Sequence, residues 1–507
     1  MTKFRTLRLV SASLVFLGTL LGLISLGFGQ EKTRDNVATQ VKRPNIVFAI
    51  ADDWGWPHAS AFGEVGIQTP TFDRIAKEGV FFTQAFVSSP SCTPSRGAIV
   101  TGQHFFRLKA GGNLHAIWPE NQFPEYPDLL AKSGYHVGHY RKAWGPGKSK
   151  KQPGGKTYRS VDAFFDARPE GKPFCFWFGS SDPHRGYKLG SGKASGIDPR
   201  KVHLFPFFPD TEKVRNDVAD YFFEVQRFDR QVGELLKKLK EMGELENTIV
   251  IMTSDHGMPF PRCKGNVHDS GTRVPFAVMG PNVVGGRNSA DLVSLTDVAP
   301  TFLQAAGLDI PTAMTGKSLW PILSSKETGI VDSSRKFVLV GRERHTVAQA
   351  KGNQGGYPVR AIRTQDYLYV RNFEPDRWPA GTPDFNNAQR GQAWLADCDN
   401  GPTKMELWDL KDDPRYKKLY QICFAKRGAE ELYDLKNDPD QVRNVINQET
   451  YQKIRKELSE KLTAELKNAK DPRIEGNGSF FDEQPYSGGA PQWPRRKKKQ
   501  NKKKQTN

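Results

Sequence analysis

The chain has 507 residues, 37% of them hydrophobic, so it can bury a large core, and five cysteines are too few for a disulfide scaffold. Its formal charge of +18 does not mark a nucleic-acid binder, because eight basic residues crowd into the last thirteen positions, Arg495–Lys499 and Lys502–Lys504. The positive excess left in the body suits an anionic substrate, and the tail offers only weak contact with an anionic surface.

Residues 1–30 read as an export signal. Lys3, Arg5 and Arg8 precede an apolar run from Leu9 to Phe28, with small Gly27 and Gly29 where a peptidase cuts. That run also approaches the ~20 residues that span a bilayer, so an uncleaved anchor is the competing reading. The expectation is cleavage and export, to a periplasm, the medium or a lysosome-like compartment.

Three short apolar runs follow, each ending in polar, reactive residues. Asn45–Ala51 closes on Asp52 and Asp53, Phe174–Phe178 on Asp182-Pro183-His184-Arg185, and Thr248–Thr253 on Asp255-His256-Gly257. Continuous hydrophobicity is what a strand covered on both faces requires. Between the last two, residues 217–242 carry Val218, Phe222, Val225, Phe228, Val232, Leu235 and Leu239 at helical spacing. Strands alternating with helices predict an α/β three-layer sandwich with a mostly parallel sheet. Ligands of such sheets bind beyond the carboxyl ends of the strands, which puts all three polar clusters on one rim.

The texture changes after about residue 340. A strand-like stretch at Val359–Asn372, two similar segments at 406–414 and 431–439, and a charged helix near 449–468 predict a smaller C-terminal α+β subdomain on an antiparallel sheet. Gly/Pro/Lys-rich stretches at 145–157 and 350–358 read as loops. The expected division is a signal at 1–30, a catalytic domain at 42–340, the subdomain at 341–470 and a basic, disordered tail at 471–507.

The most informative stretch is Cys92-Thr93-Pro94-Ser95-Arg96, running through Gly97 to Thr101-Gly102. It resembles the signature of the type I, formylglycine-dependent sulfatases, members of the alkaline-phosphatase-like superfamily. The resemblance covers roughly residues 44–345 and, more loosely, Glu431-Leu432-Tyr433-Asp434-Leu435. It implies that a maturation enzyme oxidises Cys92 to formylglycine, whose hydrate attacks sulfur. It also implies a calcium ion on Asp52, Asp53, Asp255 and His256, with residue 92 as a further ligand; oxygen donors suit a hard cation. Many members have asparagine where His256 stands.

Carried over further, the resemblance implies that Arg96 fixes the hydrate, that Lys142 and His184 bind sulfate, and that Lys264 contacts or protonates the leaving group. The histidine usual shortly after the sulfate-binding lysine is missing here. Asp269-Ser270 also departs from the family's Glu-Gly. Short matches at Asp182–Arg185, Met258–Pro261 and Arg360–Tyr367 look like the heparan N-sulfoglucosamine sulfohydrolases, and so imply a sulfated glycan as partner. Arg185, Arg344 and His345 are the expected substrate contacts. With Cys92 consumed, Cys398 and Cys423 are the expected disulfide in an exported protein, with connectivity open. A phosphonate or phosphodiester hydrolase on the same fold, and a non-catalytic glycan-binding relative, are the alternative readings.

Overall fold

A computed structural model describes residues 42–494. The expected export signal and the basic run 495–507 lie outside the described residues. Among the described residues no helix is long and apolar enough to cross a membrane.

The strands of the main sheet are β1 (Asn45–Ala51), β2 (Val80–Phe82), β4 (His136–Arg141), β5 (Lys156–Tyr158), β6 (Phe174–Gly179), β7 (Thr248–Ser254), β8 (Phe276–Met279) and β9 (Arg287–Ser289). β3 (Ala85–Phe86) and β10 (Val293–Ser294) form a short pair beside it. The main sheet runs β5-β4-β6-β1-β7-β8-β2-β9, parallel from β5 to β7 and antiparallel on both sides of β8.

The apolar run of β1 is continuous because both faces are covered. Val47, Ala49 and Ala51 pack into the cluster of Val225, Phe228 and Val232, while Ile46, Phe48 and Ile50 pack into that of Phe302 and Leu303. The first layer is the Glu212–Glu241 helix, which starts five residues before the expected 217 because the Thr211 side chain accepts from Val214 N and caps it. The second includes the Val298–Ala305 helix.

The C-terminal region forms a four-stranded antiparallel sheet of β11 (Val338–Arg342), β12 (Val359–Arg363), β13 (Tyr367–Asn372) and β14 (Glu430–Asp434). Leu462 and Leu466 of the Gln452–Asn468 helix pack on Ile362, Tyr369 and Leu432. The single strand expected at 359–372 is a hairpin, turned where Thr364 N donates to Tyr367 O at 2.9 Å.

The similar segments 406–414 and 431–439 take different structures: the first lies partly in the Pro402–Asp409 helix, started by Pro402, whereas the second opens in β14 because β13 offers it an edge. Two further expectations are corrected. Cys398 and Cys423 are not bonded; all five cysteines are free among the described residues. Their thiols instead donate to the carbonyls of Asp399 and Phe207, both at 3.6 Å. Residues 471–494, grouped with the tail by their composition, are folded against the body. Asp471 is fully buried against Arg360, and Phe481 of the Ser479–Glu483 helix enters the core beside Leu466.

Candidate active site

Four adjacent parallel strands, β4, β6, β1 and β7, end at one level. Arg141 pairs with Gly179, Gly179 with Ile50, and Ala51 with Ser254, so Lys142, Asp52 and Asp255 leave the sheet side by side. Backbone bonds beyond the last pairs lock this rim: Ser180 N to Ile50 O at 3.0 Å, Asp52 N to Asp182 O at 3.0 Å, and Asp255 N to Ala51 O at 3.3 Å. Gly179 permits the packing, since a Cβ there would sit 1.7 Å from Lys142 O.

Cys92 is the first residue of the buried helix Cys92–Thr101, with Pro94 in its first turn. Ser91 precedes it in extended conformation but does not cap the helix. Its Oγ lies 2.8 Å from His345 Nδ1 instead. The Cys92 sulfur sits 3.2 Å from His256 Nε2 and 3.8 Å from Asp52 Oδ1. Burial pushes its thiol well above the ordinary range, although Lys142 and Lys264 pull the other way.

One turn along that helix, Arg96 is fully buried and every donor is used. Nε donates to Asp255 Oδ2 at 2.7 Å, Nη1 to Lys142 O at 3.0 Å and Ala143 O at 2.8 Å, and Nη2 to Ala51 O at 3.2 Å and Asp52 Oδ1 at 3.4 Å. Burial works against its charge, and Asp255 and Asp52 more than restore it. Asp255 is likewise opposed by burial, yet Arg96, with Lys142, holds it well below the usual carboxylate range.

The donor set fits a hard cation. One oxygen or nitrogen from each of Asp53, Asp255 and His256, with the Cys92 sulfur, lies within 4.8 Å of the others. Asp53 Oδ1 is buried without a hydrogen-bond partner, 3.2 Å from His256 Nε2. His256 Nδ1 sits 3.0 Å from Gly257 O, which can only accept, so Nδ1 carries the proton and Nε2 turns a lone pair toward that oxygen. Two electron-rich atoms facing each other in a buried site call for a cation between them. Asp53 also holds φ 78, an uncommon conformation for a residue with a side chain. Asp52 stands to one side of the four: its Oδ1 accepts from Lys142 Nζ at 2.5 Å.

The model of the family described as Sulfatase matches residues 44–308, more than half of the chain and the span that carries this rim and helix. The chain belongs to the sulfatase family. A second model, described as N-sulphoglucosamine sulphohydrolase, C-terminal, matches residues 262–378. Relatives include an ulvan-active sulfatase of Formosa agariphila, 26% identical over 91% of this chain and 83% of its own length. The N-sulphoglucosamine sulphohydrolase of Homo sapiens is 27% identical over 85% of this chain and 91% of its own. A solved structure in complex with its substrate, D-glucosamine-2-N,6-O-disulfate, superposes with a TM-score of 0.60 at 20% identity, covering 88% of this chain and 100% of that one. These relatives are thus sulfatases, an N-sulphoglucosamine sulphohydrolase among them, and the structural neighbours also include a phosphonate monoester hydrolase of Agrobacterium radiobacter, with a TM-score of 0.61 at 16% identity over 84% of this chain and 96% of that one.

In this sulfatase the rim opens into a cleft of about 640 Å³ lined by Asp52, Lys142, His184, Trp144, Arg227 and His115 among others. Lys264 Nζ ties the far wall, 2.8 Å from Asp53 Oδ2, 3.0 Å from Asp399 Oδ2 and 3.1 Å from His184 Nε2. Burial opposes its charge, but Asp399 and Asp53 raise it well above the usual lysine range. His184 Nδ1 lies 3.1 Å from Arg185 O and so bears a proton, which leaves Nε2 to accept from Lys264.

Two expected substrate contacts are engaged by partners of their own, although Arg185 lines the cleft. Arg185 is bidentate to Asp217 and stacks over Phe260, 4.2 Å from the ring centre. Arg344 is 2% exposed and spends both terminal nitrogens on the carbonyls of Gln354, Asp482, Gln484 and Pro485. His345 is brought in, beside Ser91. Sequence reading missed Asp399 and His115; each lies in a loop without a motif, and only the folded chain brings it to Lys264 or to Lys142.

Proposed function

We propose that this sulfatase is exported, that a maturation enzyme oxidises Cys92 to formylglycine, and that the mature protein releases sulfate from a sulfated carbohydrate with calcium in the site. The reading is carried by one convergence: the Cys92 sulfur, the unpartnered Asp53 Oδ1 and the Nε2 lone pair of His256 meet at a helix N-terminus, ringed by Arg96, Lys142, His184 and Lys264. Asp53, Asp255, His256 and residue 92 would hold the ion, with Asp52 beside them. Formylglycine hydrate supplies a nucleophilic oxygen with a second hydroxyl from which sulfate can be expelled, and the cation supplies charge to the sulfate oxygens.

The remaining steps belong to this chain's residues. Arg96, fixed by five acceptors, holds Asp255 and Asp52 in place around residue 92. Lys142 keeps its charge through Asp52 and donates to a sulfate oxygen at the cleft. Lys264 bears the proton of the Lys264–His184 pair, so the leaving oxygen or nitrogen takes its proton from Lys264, directly or through His184 Nε2.

The match to the N-sulphoglucosamine sulphohydrolase C-terminal model, together with the ulvan-active relatives, supports a sugar over a small aryl ester. The test is a desulfation panel of N-sulfated glucosamine, O-sulfated glucosamine and sulfated algal oligosaccharides, with matched phosphate and phosphonate esters as controls. Release of sulfate from one of the sugars is expected. Turnover of the phosphorus esters alone overturns the reading.

A further inference from the structure

The family resemblance leaves one place in the cleft unfilled, the imidazole usual shortly after Lys142, where this chain has Trp144 or Gly145. A histidine from elsewhere in the chain lines the same cleft. His115 shares that wall with Lys142, whose charge reaches its ring. It is half-buried, and among the described residues no group hydrogen-bonds its ring nitrogens, although its carbonyl and its neighbours are tied down.

That backbone is built with care. His115 sits at φ 54, a strained conformation for a residue with a side chain that persists only when its surroundings impose it. Leu114 N donates to Arg344 O at 3.0 Å, and Asn113 Nδ2 to Phe481 O at 2.8 Å. His115 O accepts from both Ser487 N at 3.2 Å and Ser487 Oγ at 2.7 Å. Its ring stands edge-on to Tyr486, centroids 5.2 Å apart, and Gly488 passes so close that a Cβ there would lie 2.2 Å from the ring. The segment doing this is held in turn by the Arg344 bonds to Asp482, Gln484 and Pro485, and by Arg390 Nη1 on Gly488 O at 2.5 Å. Packing alone accounts for a buried ring, but not for a strained residue whose nitrogens are left unpaired at the mouth of an anionic-substrate cleft.

We propose that His115 is a substrate-contact residue, its imidazole hydrogen-bonding the sugar ring that carries the sulfate, and that the C-terminal segment 482–489 serves to hold it there. This rests on the carbohydrate reading above. The positive-φ backbone points the ring at the substrate, Tyr486 fixes its plane, and Gly488 leaves room for it.

The experiment compares wild type with His115→Ala, His115→Gln and Gly488→Ala on a sulfated glucosamine and on a small aryl sulfate that has no sugar ring, with melting temperatures throughout. Gly488→Ala displaces the ring without removing it, and it serves if His115→Ala does not fold. Expected is a loss in kcat/KM of ~10-fold or more on the sugar, mostly through KM, for His115→Ala and Gly488→Ala. Partial recovery is expected in His115→Gln, with aryl sulfate turnover within twofold of wild type. Equal losses on both substrates, or kcat/KM on the sugar held within twofold, overturn the proposal. Calorimetric titration of the same sugar into Cys92→Ala with and without His115→Ala separates the two readings. A wild type that turns over no sulfated sugar defeats the carbohydrate reading, whereas sugar binding indifferent to residue 115 defeats only this one.

Discussion

Asp399 Oδ2 accepts from Lys264 Nζ at 3.0 Å across 135 positions of chain, joining the C-terminal region to the proton-bearing side of the cleft. Burial would push the Asp399 carboxyl up, but Lys264 holds it below the usual range, so it is a fixed negative charge. Its loop is fastened from beneath by Lys404, whose fully buried ammonium donates to Trp394 O, Leu395 O, Cys398 O and Asn400 Oδ1 at 2.8–3.0 Å. Asp399→Ala should therefore lower kcat/KM by roughly 10- to 100-fold, the worth of a charged hydrogen bond, with little change in melting temperature. Steady-state kinetics beside a thermal melt checks this. Unchanged kcat/KM removes Asp399 from the mechanism.

Cation removal is the second expectation. With Asp53 Oδ1 lacking any other partner and Asp255 beside it, stripping the ion leaves like charges facing each other in a buried site. Dialysis against a chelator should abolish turnover and lower the melting temperature, and calcium should restore both. Asp255→Ala should lose turnover and the calcium-dependent rise in melting temperature together. Full turnover in the chelated protein sinks the assignment.

The wall behind the cleft carries a pH signature. Glu125 accepts from Trp118 Nε1 at 2.9 Å, and Trp118 stands edge-on to the cleft residue Trp144, centroids 5.2 Å apart. Burial, with Asp128 and Glu120 nearby, pushes Glu125 up to about 7 against the pull of Trp118 and Lys151. A carboxyl raised in the folded state is stabilising where it is protonated, so its contribution is full below the ordinary ~4.5 and is lost as pH rises through about 7. Glu125→Gln keeps the acceptor and removes the titration. It should be the more stable protein at pH 8, with a flatter dependence of melting temperature between pH 4.5 and 7. Parallel curves for the two proteins would refute it.

Residues 471–494 should behave as part of the body. Arg360 is 1% exposed, with Nε on Asp471 and Nη2 on Glu343 at 2.7 Å, so Asp471→Asn leaves a buried guanidinium half-paired. The expected cost is about 3 kcal/mol, read by urea denaturation. A loss under ~0.5 kcal/mol, as at an exposed site, would return the segment to the tail.

What the sequence made legible follows from locality. The three strand runs were readable because burial on both faces removes the alternation of polar and apolar positions and leaves polar residues only at their ends, and the rim followed because parallel neighbours in register end together. Cys92 and Arg96 share one helical turn, so their pairing with the rim could be read from the motif. The partners of Arg185 and Arg344 were not legible for the opposite reason. An arginine looks like an anion contact until its partners are known, and those partners, Asp217 and the carbonyls of 482–485, lie 32 to 141 positions away. Asp399 and His115 left no pattern because their loops have no period and are held by backbone carbonyls. The segment after 470 was hidden by its composition: a polar stretch shows neither that Asp471 is buried nor that Phe481 is core.

The last prediction concerns Cys92, on which the mechanism turns. A thiol cannot form a hydrated aldehyde, and a thiolate that attacked sulfur would have no second hydroxyl with which to expel the sulfate. The peptide containing residue 92, from protein made in a host with the maturation enzyme, should show the mass of formylglycine. Its N-terminal helical position and its 3.2 Å approach to His256 Nε2 leave Asp53, Asp255 and His256 in place when the side chain is shortened. Cys92→Ala should therefore fold, keep a calcium-dependent rise in melting temperature, bind sulfated sugar and turn nothing over. An unmodified thiol in a fully active protein would disprove the formylglycine step. Activity retained in Cys92→Ala would make residue 92 structural, and the nucleophile would have to be sought elsewhere in the cleft.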